Sequence, residues 1–185
     1  MNDTEPQTAG GKVLWHFTMS LDGCVAGPNH EMDWMTGFAF RPGLIEEYVE
    51  TTGAVLGGRA GWAVAGDNRP YGGAWDGPIF ILTHHPEDAS PADGVTFLNC
   101  GPAEAVRIGL EAAGGKNLEV LSPNIGRQLL DLGLIDEIDL HIAPVLLGAG
   151  IRLYDNPGRE PIRLTGIGGG DPVSAVNVRY RPSAT

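Results

Sequence analysis

Residues 118–143 read LEVLSPNIGRQLLDLGLIDEIDLHIA, and three patterns follow one another along them. Residues 118–121 are a strand-length apolar run. Residues 123–132 read as a helix, opened by Ser122 and Pro123 and closed by Gly133, the residue types that start and stop helices. From Ile138 the period becomes two, with Ile138, Leu140 and Ile142 alternating with Asp139 and His141. The strand and helix continue an alternation that predicts βαβ units and a parallel sheet, and the period of two from Ile138 onward predicts antiparallel strands added to it.

The chain upstream extends the pattern. Residues 12–19 predict a first strand, with Val13, Trp15 and Phe17 on one side and Leu14, His16 and Thr18 on the other. Ser20-Leu21-Asp22-Gly23 predicts a turn, because Asp bonds nearby backbone and Gly takes positive φ. Residues 41–52 predict a helix that Gly53 ends, and residues 54–56 a short buried strand. The glycine-rich stretch 57–77 carries Trp62, Tyr71 and Trp75, too many aromatics for a linker, and predicts an ordered loop around a short helix. Residues 78–83 form a near-continuous apolar run, as in a strand buried on both faces. Strands at 95–98 and 118–121 enclose a helix at 103–113. Val176, Val178 and Tyr180 alternate with Asn177 and Arg179, so the C-terminal third predicts antiparallel strands, with Gly168-Gly169-Gly170 in a hairpin loop. The expected fold class is α/β, with a mainly parallel central sheet and helices on both faces.

The 185 residues and 42% hydrophobic content suit one core. We expect a single domain over residues 11–181, flanked by disordered segments 1–10 and 182–185. The net charge of −11, with 12 Lys and Arg scattered along the chain, argues against nucleic acid and against an anionic membrane surface. No apolar run reaches the roughly 20 residues of a membrane span, which predicts a cytoplasmic protein. Cys24 and Cys100 read as free thiols, and no His spacing suggests a metal site.

In open α/β sheets ligands lie beyond the C-terminal strand ends. Thr18 and Ser20 follow the first predicted strand; Gly57, Gly58 and Arg59 the second; Thr83, His84 and His85 the third; Ser122, Pro123 and Asn124 the fifth. Short donors, one fixed cation and a helix N-terminus suit a phosphorylated nucleotide. Each residue also has a plain reading. Arg59 suits a solvated surface, Thr83 a strand end bonding its own backbone, His84-His85 an exposed turn, and Ser122-Pro123 an ordinary helix start.

The segments at residues 18–23 (TMSLDG), 55–59 (VLGGR), 127–130 (RQLL), 133–138 (GLIDEI) and 140–154 (LHIAPVLLGAGIRLY) resemble the reductase domain of bacterial riboflavin-biosynthesis deaminase/reductases. The resemblance implies a dihydrofolate-reductase-like fold, NADPH as hydride donor and a homodimer. It implies that Gly58 and Arg59 meet the cofactor phosphates, Thr83 and His84 the adenosine ribose, and Ser122, Pro123, Asn124, Ile125, Gly126 and Gln128 the pyrophosphate. Thr18, Val25 and Ala26 would line the nicotinamide. Departures accompany it. Gly61 stands where the fold often has Thr, Ser122-Pro123 replaces two small residues, and no acid occurs near Phe38-Ala39-Phe40, which argues against folate reduction.

Asp33 and Trp34 are the substrate-pocket candidates, Asp33 either as a buried proton donor or as an ordinary loop carboxylate. No catalytic acid is named. Two functions remain: an NADPH-dependent reductase of a small pteridine- or ribosylaminopyrimidine-like heterocycle, or a nucleotide-binding module without turnover. A cis Ser122–Pro123 bond is also expected, since the fold often places a cis bond there and proline lowers its cost.

Overall fold

The computed structural model describes residues 6–66, 68–90, 92–162, 164–168 and 176–182. Ten strands and four α-helices occur among them: β1 (Val13–Ser20), β2 (Cys24–Ala26), α1 (Leu44–Thr51), β3 (Thr52–Gly58), α2 (Arg59–Ala65), β4 (Ile79–Leu82), β5 (Val95–Leu98), α3 (Pro102–Ala113), β6 (Asn117–Leu121), α4 (Pro123–Asp131), β7 (Glu137–Ala143), β8 (Ile151–Arg152), β9 (Leu164–Gly168) and β10 (Val176–Pro182). Eight strands form one sheet in the order β5-β4-β3-β6-β1-β7-β10-β9. The first six are mutually parallel, and β10 and β9 join antiparallel beyond β7. β2 and β8 form a separate two-stranded ribbon.

The alternation of apolar side chains sets which face of β1 meets the main core. Val13 and Trp15 pack there with Leu56, Leu118, Val120, Ile125 and Leu129, joined by the half-buried Phe17. A second cluster gathers Val55, Trp75, Ile79 and Ile81 under the glycine-rich loop. That loop is ordered as expected: it contains α2, and Trp75 donates its indole N–H to the Thr52 carbonyl at 3.0 Å.

Several expectations need correction. The helix predicted at 41–52 begins only at Leu44, because Gly43 precedes it in the left-handed region at φ 81°. Gly53 does not end it but lies in β3, where a Cβ would run into the backbone of Ala113 on α3. The alternating strand at 138–142 was expected in an antiparallel, half-exposed layer. Instead β7 is an interior strand, parallel to β1, and its polar residues Asp139 and His141 are buried. The period of two is real, but both faces are covered. The Ser122–Pro123 bond is trans, as no cis peptide occurs among the described residues. Ser122 is extended at φ −150°, ψ 120° and caps α4 through its side chain, so Pro123 occupies an ordinary first helical position.

At the ends, Gln7 falls in the segment expected to be disordered yet is 3% exposed. Its amide donates to Glu137 at 3.2 Å and to Asp139 at 3.1 Å. Pro182 belongs to β10 rather than to a tail. The expected loop at Gly169-Gly170 and residues 183–185 lie outside the described residues. No helix among the described residues is long and apolar enough to cross a membrane.

Candidate functional site

A cleft of about 1650 Å³ runs along the C-terminal ends of the parallel strands. Ligand pockets for single small molecules occupy roughly 300–1,000 Å³, so this one has room for a dinucleotide and a second molecule. Its walls include Thr18, Val25, Ala26, Gly58, Arg59, Thr83, His84, Ser122, Pro123, Asn124, Ile125 and Gln128, and also Asp33. Residues assigned separately from the sequence thus come together in one place. Gly126 and Trp34 do not line it. Gly126 is buried, and a Cβ there would run into the Trp15 indole. Trp34 instead faces Phe38, ring centroids 6.4 Å apart.

The side of the cleft that carries Arg59, Thr83 and Ser122 is built from loops that leave the sheet. The Arg59 guanidinium donates to the carbonyls of His85 at 3.0 Å and Asp88 at 3.1 Å. It therefore braces the turn after β4 from the cleft wall. The Thr83 hydroxyl accepts from the His85 N–H at 3.1 Å, the local backbone bond that a strand-end threonine makes. At α4 the Ser122 hydroxyl accepts from Ile125 N at 3.4 Å, and Gly126 N bonds back to the Ser122 carbonyl at 2.9 Å. Pro123 has no N–H, so Asn124 N and the weakly engaged Ile125 N are the amides left at this helix start. Where β3 ends, a Cβ on Gly58 would stand 3.1 Å from Ser122 Oγ, so glycine keeps the gap between β3 and α4 open. His85, Glu87 and Asp88 come within ligand distance of one another on this rim, but all three are exposed side chains of a surface turn.

The opposite side of the cleft, near Asp33, differs from expectation. Asp33 is exposed at the short turn Asp33–Met35, so the burial that a proton-donor role calls for is missing. The sheet itself supplies a polar floor instead. Register places Glu119 and Glu137 beside Leu14, Asp139 beside His16, and His141 beside Thr18. Cross-strand partners share a face, so these side chains converge beneath α1. His16 Nδ1 lies 3.2 Å from Glu119 Oε2, and His16 Nε2 lies 2.8 Å from His141 Nε2. Tyr48 of α1 stacks on His16 at 4.2 Å and donates its hydroxyl to Asp139 at 2.6 Å. Glu119 also accepts from the hydroxyls of Tyr71 and Thr52. Burial, then the Glu119 carboxylate, pushes the Tyr71 hydroxyl well above its usual range, so Tyr71 stays a donor. Its backbone sits at φ 58°, ψ 34°, uncommon for a residue with a side chain and found where surroundings hold it.

His16, Tyr48, Tyr71 and His141 all line the cleft, and sequence reading assigned none of them a role. The signal lay in the polar positions of two otherwise apolar strands. It becomes readable only once β1 is known to lie between β6 and β7.

A six-stranded parallel sheet with an appended antiparallel pair, and a cleft across its strand ends, define a dihydrofolate-reductase-like α/β domain. The chain belongs to the RibD C-terminal domain family, whose profile matches residues 11–168. Among solved structures it resembles a protein described as a riboflavin biosynthesis protein from Shewanella sp. PV-4, with TM-score 0.74 and 19% identity over 94% of this chain and 99% of that one. It also resembles the diaminohydroxyphosphoribosylaminopyrimidine deaminase/5-amino-6-(5-phosphoribosylamino)uracil reductase of Thermotoga maritima, with TM-score 0.68 and 17% identity over 93% of this chain and 56% of that one. This chain therefore spans little more than half of that bifunctional protein. Dihydrofolate reductase from Enterococcus faecalis, solved with NADP(H), matches with TM-score 0.62 and 13% identity over the full length of both chains. No curated protein matches the sequence significantly.

Proposed function

We propose that this protein is an NADPH-dependent reductase of a small heterocyclic substrate, pteridine-like or ribosylaminopyrimidine-like. The observation that carries the reading is the single cleft joining Arg59, Thr83 and Ser122 at one end to Thr18, Val25 and Ala26 at the other. NADPH fits the residues present: the glycine-kept gap at Gly58 admits a backbone-hugging phosphate chain, and the open Asn124 amide and Arg59 stand on its two sides. When bound, the cofactor supplies a hydride to an electrophilic carbon. The chain's own part is to hold the two molecules face to face and to exclude water. Thr18, Val25 and Ala26 do so at the strand ends, while Met32, Met35 and Phe40 wall the substrate side.

A nucleotide-binding module without turnover is the second reading, favoured by the α4 start, where the Gly126 amide is spent inside the helix. NADPH binding by calorimetry, then oxidation followed at its absorbance band with pteridines, ribosylaminopyrimidines and quinones, separates them. Turnover with any acceptor supports the reductase. Tight binding with no turnover supports the module, and no binding removes both.

The family resemblance further suggests a homodimer. β7 is an interior strand, so it offers no unpaired edge for a second copy. What supports association is an exposed apolar surface that includes Leu146. Leu21 and Leu146 are 65% and 70% exposed, and the Leu21 N–H to Val145 carbonyl bond of 2.8 Å brings them to the same end of the sheet.

A further inference from the structure

The polar floor of the cleft is more than a buried network. Two imidazole nitrogens 2.8 Å apart require one proton between them, one ring donating and the other accepting. On its other side His16 meets Glu119, a fully buried carboxylate, so His16 Nδ1 carries a proton toward it. With that proton fixed, an additional proton taken up by the pair leaves the positive charge on His16, next to Glu119. Three buried carboxylates stand on this face, Glu119, Glu137 and Asp139. Lys12 pairs with Glu137 at 3.1 Å, and the other two have hydroxyl, amide and imidazole partners. A buried carboxylate favours a compensating cation, and the histidine pair is the group beside Glu119 able to become one.

This pair stands where a reaction can use it. Both rings line the cleft, and His141 is the register partner of Thr18, the residue assigned to the nicotinamide end. Phe40 meets His141 edge-on at 5.5 Å, and the apolar Met32, Met35, Leu44 and Ile45 line the same cleft.

Building on the reductase reading, we propose that His16 and His141, with Glu119 positioning His16, are the proton donor of this enzyme, and that its substrate is a planar, weakly basic heterocycle reduced at a C=N bond. The substrate carbon takes the hydride that reduced nicotinamide supplies. The π electrons of the C=N bond pass to nitrogen, and that nitrogen takes a proton from the imidazole pair. The products are the amine and NADP⁺, and the neutral pair regains its proton from water. Apolar side chains of the cleft hold the ring, with the histidine pair beside its nitrogen.

Two measurements test this. The first needs no cofactor or turnover: ¹⁵N-histidine NMR of the whole protein between about pH 5 and 8, the range in which imidazoles change charge. The groups facing the pair are Glu119 from β6, Asp139 from β7, Tyr48 from α1 and Tyr71 from the turn Pro70–Gly73. His16 and His141 are expected to gain a single proton between them, in addition to the one already bridging their Nε2 atoms, and Glu119→Gln to move that uptake to lower pH. Two rings that titrate independently, or that stay neutral throughout, overturn the proposal.

The second compares quinazoline, whose C=N nitrogen must be protonated as it is reduced, with 3-methylquinazolinium, which accepts hydride without a proton. Wild type is expected to oxidise NADPH with both. His141→Asn and His16→Asn should lose about 10²- to 10⁴-fold with quinazoline, the usual contribution of a general acid, and stay within about threefold with the methylated ring. Equal losses on both acceptors reduce the pair to a structural role. Wild-type NADPH oxidation with pteridines or quinones but with neither quinazoline overturns the substrate class while leaving the reductase reading intact.

Discussion

Gly126 lies directly beneath the Trp15 indole, so closely that a Cβ at position 126 would occupy the space of the ring nitrogen. This contact pins α4 to the centre of the sheet. Overpacking a filled core costs about 1–3 kcal/mol. Gly126→Ala should therefore lower the unfolding free energy by about that amount in urea denaturation. NADPH affinity of the folded fraction should change little, because residue 126 is outside the cleft and its amide is bonded within the helix. Wild-type stability in this variant would contradict the packing.

Asp22 ties the turn after β1 to a distant loop. Its carboxylate accepts from Ser20 Oγ at 2.7 Å, Leu147 N at 3.1 Å and Gly148 N at 2.7 Å, and these bonds lower its pKa from 3.8 to about 2. A depressed carboxyl contributes stability that is present above its unfolded value and lost as pH falls through its folded value. Acid titration of wild type should show a loss of stability between about pH 4 and 2 that Asp22→Asn lacks. Parallel acid profiles for the two proteins would sink this account.

Arg59 spends two nitrogens on the carbonyls of His85 and Asp88 while bordering the cleft. If the 2′-phosphate of NADPH lies there, Arg59→Ala removes a charged hydrogen bond worth roughly 1.5–3 kcal/mol. Calorimetry should then show a loss of about ten- to a hundred-fold for NADPH and a smaller one for NADH. A loss of equal size for both cofactors would mean that Arg59 acts only by bracing its turn.

Leu21 and Leu146 form the apolar end on which association would rest. Light scattering is expected to give twice the chain mass of 19.5 kDa at micromolar concentration, and Leu146→Glu to return the protein to monomer. A monomeric wild type would end the dimer proposal.

Much of this architecture could be read from residue order alone, because local rules govern it. The strand at 95–98 was expected with the bounds it has in β5, and the helix at 103–113 lies within one residue of α3. That Arg59, Thr83 and Ser122 line one cleft was legible as well, since all follow strand ends. What escaped were long-range facts. Asp139 and His141 look like the solvent side of a half-exposed strand until α1 and Gln7 are laid over them. His16 looks like a lone polar residue on β1 until Glu119 and His141 arrive from strands more than a hundred positions away. Ser122-Pro123 was read through the resemblance as a cis link, when its local chemistry as N-cap and first helical residue already described the observed turn.

The burial of Gln7 bears on where this domain begins. The family profile starts at residue 11, which invites an expression boundary there. A chain trimmed to that point would lose the amide donor that spans Glu137 and Asp139 and the contact of Gln7 with Lys12, taking one hydrogen bond from each of two buried carboxylates. Shortened protein that expressed poorly or failed to react would then report on a missing side chain, not on the chemistry of the family.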